Sequence, residues 1–176
     1  MARARRFPTA AAASTVPLVL PDSVELPTHV LAQLLAKARS AAPREFVGLL
    51  AGHGGDAVNR RLVVRALHEL RNVAADDDAY EVPAAAFAAA EARARGDGHT
   101  FLGFVHSHPR GPARPSAHDR ASWWQHCVQL IVDGEAPAAG ASALRAYWLD
   151  AATLHELPLL LQPADHPQPF AGAGTR

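Results

Sequence analysis

His106, His108 and Asp119 are the residues of this chain whose types and spacing could do chemistry. The segment runs His106-Ser107-His108-Pro109, then Arg110 to Pro115, then Ser116-Ala117-His118-Asp119. In a strand, side chains at i and i+2 point to the same face, so His106 and His108 present two imidazoles together and Ser107 points away. Pro109 ends that strand, the Gly/Pro-rich stretch makes a turn, and Ser116 is placed to cap a helix whose Asp119 lies one turn on. That helix can return a carboxylate to the imidazoles. Two neutral imidazoles and one carboxylate leave a fourth tetrahedral position for water, which is the arrangement of a catalytic zinc rather than a closed structural one.

Each half of this pattern has a plainer explanation. Ser116-x-x-Asp119 is also an ordinary capping box, and a single H-x-H in a chain with ten histidines is more often solvated or hydrogen-bonded than metallated. The joint order, a strand-borne H-x-H, a turn and then a capped aspartate, favours the metal. Rival chemistries lack their residues. The chain contains no H-E-x-x-H, and its one cysteine cannot supply the P-C-x-x-C half of a deaminase site. Cys127 sits in an apolar stretch without an identifiable base, so it reads as a buried structural thiol. Trp123 and Trp124 read as core, His118 as facing away from Asp119, and His53 and His99, each beside a glycine, as loop residues.

The elements around these residues alternate between strand-like and helix-like patterns, an α/β or α+β signature. Val16 to Leu20 reads as a short strand. Pro27 to Ser40 places Val30, Leu31, Leu34, Leu35 and Ala38 on one helical face, and Pro43 stops it. Phe46 to His53 reads as a buried strand entering a Gly-rich turn, with Arg61 to Leu67 returning as its hairpin partner. Asn72 to Tyr80, carrying Asp76, Asp77 and Asp78, has no period and should be an exposed loop before an Ala-rich helix from Pro83 to about Arg95. Thr100 to His108 is a strand, Ser116 to about Gln125 a short helix, Cys127 to Val132 a strand, and LRAYWL with TLHEL a final hairpin.

Length and composition bound the function classes. The 176 residues, 49% of them hydrophobic and 19% charged, suit one domain with a sizeable core. Seventeen basic against seventeen acidic residues argue against a general electrostatic grip on nucleic acid or an anionic membrane. No run of about 18 uncharged apolar residues suggests a transmembrane helix, and the lone cysteine suits a reducing cytoplasm. Arg3, Arg5 and Arg6 before an Ala-rich segment imitate a signal peptide only loosely. The expected organisation is a disordered extension over residues 1–15, a single folded domain over 16–162, and a flexible Pro/Gly-rich tail over 163–176.

The HSHP segment, six residues, then SxxD, together with Glu45 opening the hydrophobic strand Phe46-Val-Gly-Leu-Leu-Ala-Gly, resembles the JAMM or MPN+ zinc metallopeptidases, in particular their stand-alone prokaryotic members. The resemblance runs from about Leu26 to Leu157. It implies an MPN/JAB-like fold, a mixed sheet flanked by helices and akin to cytidine deaminases. It implies one zinc per chain on His106, His108 and Asp119, with Glu45 as general acid/base and Ser116 helping to stabilise the oxyanion. The implied substrate is a ubiquitin-like or sulfur-carrier protein, cut after its C-terminal Gly-Gly. An extended tail could then add to a sheet edge, with the Asn72–Tyr80 and Asp133–Ser142 loops flanking its channel. Phe46 and Val47 stand where many prokaryotic members carry small residues or Cys. The alternatives are a non-catalytic MPN scaffold and a RadC-like domain, the latter also fitted by Pro115-Ser116.

Overall fold

The computed structural model describes residues 19–55, 58–135, 141–150 and 153–163. In chain order these form β1 (Ser23–Pro27), α1 (Thr28–Ala41), β2 (Val47–Gly54), β3 (Arg61–Glu69), α2 (Ala84–Gly96), β4 (Thr100–His108), α3 (Ala117–Ser122), β5 (Val128–Asp133), β6 (Leu144–Asp150), β7 (Thr153–Leu157) and β8 (Leu159–Gln162). A single mixed sheet takes them in the order β7-β6-β5-β4-β2-β3-β1-β8. β4 lies inside it, antiparallel to β2 and parallel to β5.

Helices cover both faces, because the central strands are apolar on both sides. On one face α1 buries the five residues that its period places together, Val30, Leu31, Leu34, Leu35 and Ala38, against Leu50, Leu62, Val105 and Leu130. At about 1.5–3 kcal/mol for each fully buried large aliphatic side chain, that stripe is the main reason the helix docks. On the other face α2 packs through Phe87, Ala90 and Ala94 with Phe104, Tyr80 and Trp123. Alanine at two of these contacts lets the helix backbone approach the sheet closely. Phe87, Phe101, Phe104 and Trp124 meet edge-on or tilted with centroids 5.0–5.9 Å apart.

A bulge in β4 sets the faces that its last residues use. Leu50 pairs with Gly103 and Ala51 with Phe101, leaving Leu102 as the extra residue. Gly103 adopts φ 157°, and a Cβ there would fall 1.9 Å from the Val128 carbonyl oxygen of β5. Only glycine tolerates this approach.

Several elements differ from their sequence expectation. Residues 16–18 of the expected Val16–Leu20 strand lie outside the described residues, and Val19 and Leu20 are irregular. The first strand is Ser23–Pro27, buried throughout. It was obscured by Glu25, a buried carboxylate satisfied by Arg61 Nη1 at 2.6 Å. β8 was not foreseen either. It pairs in parallel with β1, a partner more than a hundred residues upstream, so no local pattern announces it. The short helix ends at Ser122 rather than near Gln125. His53 lies within β2, not in a loop. The expected ends, residues 1–15 and all but Pro163 of 163–176, lie outside the described residues. Among the described residues no helix is long and apolar enough to cross a membrane.

Candidate metal centre

β4 delivers the two imidazoles as its alternation requires, with His106 fully buried and His108 at the strand end with 12% of its side chain exposed. Ser107 points to the opposite side. There its Oγ accepts the Phe46 N–H at 2.8 Å, while its own N–H donates to the Phe46 carbonyl at 3.0 Å. Beyond Pro109 the chain turns back, held by the Tyr147 hydroxyl, which donates to the Ala113 carbonyl at 2.8 Å. His108 Nδ1 lies 2.9 Å from the Pro112 carbonyl, which can only accept. That fixes the proton on Nδ1 and frees Nε2 as a ligand.

Ser116 then caps α3 in a complete capping box. Its Oγ accepts the Asp119 N–H at 3.1 Å, and Asp119 Oδ2 accepts both the Ser116 N–H at 2.7 Å and the Ser116 hydroxyl at 2.6 Å. Capping and ligation are therefore compatible. The same geometry that starts the helix aims a buried carboxylate at the histidines.

The three side chains converge. His106 Nε2 lies 3.1 Å from His108 Nε2 and 3.2 Å from Asp119 Oδ1, and His108 Nε2 lies 3.4 Å from Asp119 Oδ2. Ligands about 2.0–2.1 Å from a tetrahedral zinc stand about 3.3–3.4 Å from one another, so the donor set fits such an ion in both chemistry and spacing. It is also the one group of three or more His, Cys, Asp or Glu side chains among the described residues that could hold a metal. Burial alone would raise the Asp119 pKa. Hydrogen bonds and charge from His106, His108 and Ser116 outweigh it and hold the carboxyl well below the ordinary carboxylate range. His108 is likewise opposed by burial, yet Asp119 and the Pro112 carbonyl raise its pKa above the ordinary imidazole value.

A cleft of about 240 Å³ opens onto this group, with Glu45, His108 and Ser116 in its lining. Glu45 is 2% exposed and close enough for its charge to act on His108. All five residues singled out in the sequence thus come together at one end of β4. Asp77 and Asp78 of the Asn72–Tyr80 loop also line the cleft, as do Arg110 and Arg114 of the turn after β4. That loop is only partly exposed, because Ala74 and Ala79 are buried and Tyr80 packs against His106 with ring centroids 5.1 Å apart. Asp133 and Gly134 line a neighbouring cavity of about 170 Å³ that shares Pro109 with the cleft. Residues 136–140 of the second loop lie outside the described residues.

The expected strand addition needs an unpaired strand edge near the cleft. β4 pairs with β2 as far as His106 and with β5 as far as His108, whereas β3 pairs with β1 only over Arg61–Val63, so that among the described residues Val64–Glu69 of β3 pair with β2 alone.

The remaining expectations are simpler. Cys127 is buried, donates to the Trp124 carbonyl and accepts from Gln129 Nε2, and burial pushes its thiol up to about 12, which suits a structural thiol. Trp123 is buried, Trp124 packs on the α2 side, and His118 is exposed. Sequence reasoning missed Asn72 and Tyr147 as anchors of the site. A polar residue that serves backbone groups distant in sequence leaves no periodic signal.

Comparison with known proteins agrees with this geometry. Among solved structures, a protein of Desulfitobacterium hafniense superposes with a TM-score of 0.71 at 26% identity, covering 80% of this chain and 93% of the other. A protein of Salinibacter ruber gives a TM-score of 0.58 at 30% identity, covering 85% and 95%. A JAB1/MPN domain protein of Archaeoglobus fulgidus gives 0.52 at 22% identity, covering 81% and 98%, a likeness of fold. No curated protein matches the chain in sequence. Residues 27–150, which include Glu45, His106, His108, Ser116 and Asp119, match the prokaryotic homologs of the JAB domain, and the chain belongs to that family.

Proposed function

We propose that the protein is a zinc-dependent peptidase or isopeptidase that hydrolyses the bond after the C-terminal Gly-Gly of a ubiquitin-like or sulfur-carrier protein. The observation that carries this reading is the convergence of His106 Nε2, His108 Nε2 and Asp119 at 3.1–3.4 Å beside a cleft that Glu45 also lines. One zinc held by these three side chains would supply Lewis acidity toward the scissile carbonyl and a water with its pKa lowered to about 7. Glu45 takes the proton from the attacking water and passes it to the amine as the C–N bond breaks. Asp119, kept ionised by its neighbours, offers the cation its negative charge. A cleft of about 240 Å³ lies below the about 300–1,000 Å³ of ordinary ligand pockets and suits an extended segment of small residues such as Gly-Gly.

The test is a panel of ubiquitin-like fusions and sulfur-carrier adducts incubated with the zinc-loaded chain in the presence and absence of a chelator. Cleavage after Gly-Gly that the chelator abolishes is the expected outcome. No cleavage of any member by a folded, zinc-loaded chain would reject the reading.

Ser116 carries a narrower expectation. Its hydroxyl donates to Asp119 Oδ2, so helping an oxyanion requires the hydroxyl to rotate from its ligand-supporting position. Ser116→Ala should cost about 1 kcal/mol of helix capping and about 10²–10³ in kcat, with one zinc still bound at saturation. Zinc titration beside steady-state rates separates the two roles. Zinc lost in parallel with rate would assign Ser116 to supporting Asp119 instead.

A further inference from the structure

Glu45 stands just before the sheet, and both of its backbone groups are held by the loop that follows β3. Its N–H donates to the Asp77 carbonyl at 3.1 Å, and its carbonyl accepts from Asn72 Nδ2 at 2.9 Å. The next residue is held differently, since both backbone groups of Phe46 bond Ser107 on β4. The Glu45–Phe46 peptide is therefore gripped by both, with the loop's Asn72 on its carbonyl and Ser107 of β4 on its N–H.

Asn72 closes this loop with every hydrogen-bonding position of its amide in use. Nδ2 donates to the carbonyls of Glu45 at 2.9 Å and Ala79 at 3.0 Å, and Oδ1 accepts the N–H groups of Ala74 at 3.0 Å and Glu81 at 3.1 Å. A planar amide offers two donors and two acceptor lone pairs, so this residue is saturated. Arg44 adds a bond from its guanidinium to the Ala74 carbonyl. The same loop presents Asp77 and Asp78 to the cleft.

We infer that Asn72 is a positioning residue for Glu45: its amide locks the 72–81 loop into the platform on which the Glu45 backbone rests. The inference rests on the reading of Glu45 as proton carrier. A carboxylate serving a reacting water tolerates little displacement, and about 1 Å of misplacement can cost about 10²-fold in rate. One donor of Asn72 reaches Glu45, whereas its other donor and its acceptor arm hold the loop itself. Asp in its place keeps the acceptor arm and forfeits the donors.

The experiment compares Asn72→Ala, Asn72→Asp and Glu45→Gln in the full zinc-loaded chain. It reads zinc per chain, the hydrogen exchange of the Glu45, Ala74 and Glu81 amides, and kcat on the member of the Gly-Gly panel that is cleaved. The expected result for Asn72→Asp is one zinc, slow exchange at Ala74 and Glu81, faster exchange at Glu45, and kcat lower by about 10²-fold. Wild-type kcat and a protected Glu45 amide in Asn72→Asp would overturn the inference, and this variant decides if Asn72→Ala fails to fold. Unchanged kcat in Glu45→Gln would instead reject the proton-carrier reading, with the exchange data still reporting whether Asn72 anchors Glu45. If no panel member is cleaved, protection of the Glu45 amide in Asn72→Asp by itself rejects the anchoring role.

Discussion

Asp119→Ala is expected to reduce bound zinc from about one ion per chain to near none at neutral pH, and hydrolysis with it. Asp119 is the one anionic member of the donor set and the only one brought by a second element, so removing it leaves two imidazoles on one strand end. Loss of outer-shell support alone typically costs about 10–100-fold in metal affinity, and loss of a charged ligand should exceed that. The substitution also deletes half of the capping box, a helix-start penalty of about 1 kcal/mol. Elemental analysis of protein purified without a chelating tag, with a thermal melt of each chain, separates ligand loss from unfolding. Full zinc occupancy in a folded Asp119→Ala chain would sink the assignment.

The same centre has a pH signature whose sign follows from the shifts. In the metal-free chain the raised pKa of His108 contributes stability fully present below its unfolded value of about 6.5 and lost as pH rises through the folded value. Asp119, depressed, contributes above about 3.9 and loses that contribution as pH falls toward its folded value. Metal-free stability from this cluster is therefore greatest between about 4 and 6.5. Ligation requires deprotonated imidazoles, so zinc affinity rises with pH. The gain in melting temperature on adding zinc should grow between about pH 6 and 8, as calorimetry with and without chelator can check.

Glu45→Gln is expected to lower kcat by about 10²–10⁴-fold, the range a positioned general acid/base supplies, while leaving one zinc per chain. The amide is close in size to the carboxylate but cannot carry the proton. The backbone bonds from Asp77 and Asn72 and the three ligands do not involve the Glu45 side chain, so neither platform nor metal should be disturbed. Rates on a cleaved Gly-Gly substrate, with zinc content and melting temperature measured in parallel, provide the check. A Glu45→Gln chain with wild-type turnover would move the proton transfer to another group.

The residues themselves determined a good deal of this protein. The i, i+2 alternation of a strand put His106 and His108 on one face, Pro109 ended that strand, and Ser116-x-x-Asp119 opened a helix, all by rules that act over a few residues. The buried stripe of α1 and the β2–β3 hairpin followed equally local periods. The metal donors and the fold class were legible for that reason. Glu45 was legible as a residue through the motif it resembles, but its burial and its place beside His108 were not. Those depend on β2 pairing with β4 across some fifty residues and on Ser107 and Asn72 gripping the N–H and the carbonyl of the Glu45–Phe46 peptide just before β2. The parallel β1–β8 pairing and the place of β4 between β2 and β5 were likewise decided only by the tertiary structure. Local sterics and capping act through neighbours in sequence, whereas strand order and single side-chain anchors act between segments that meet only after the chain has folded.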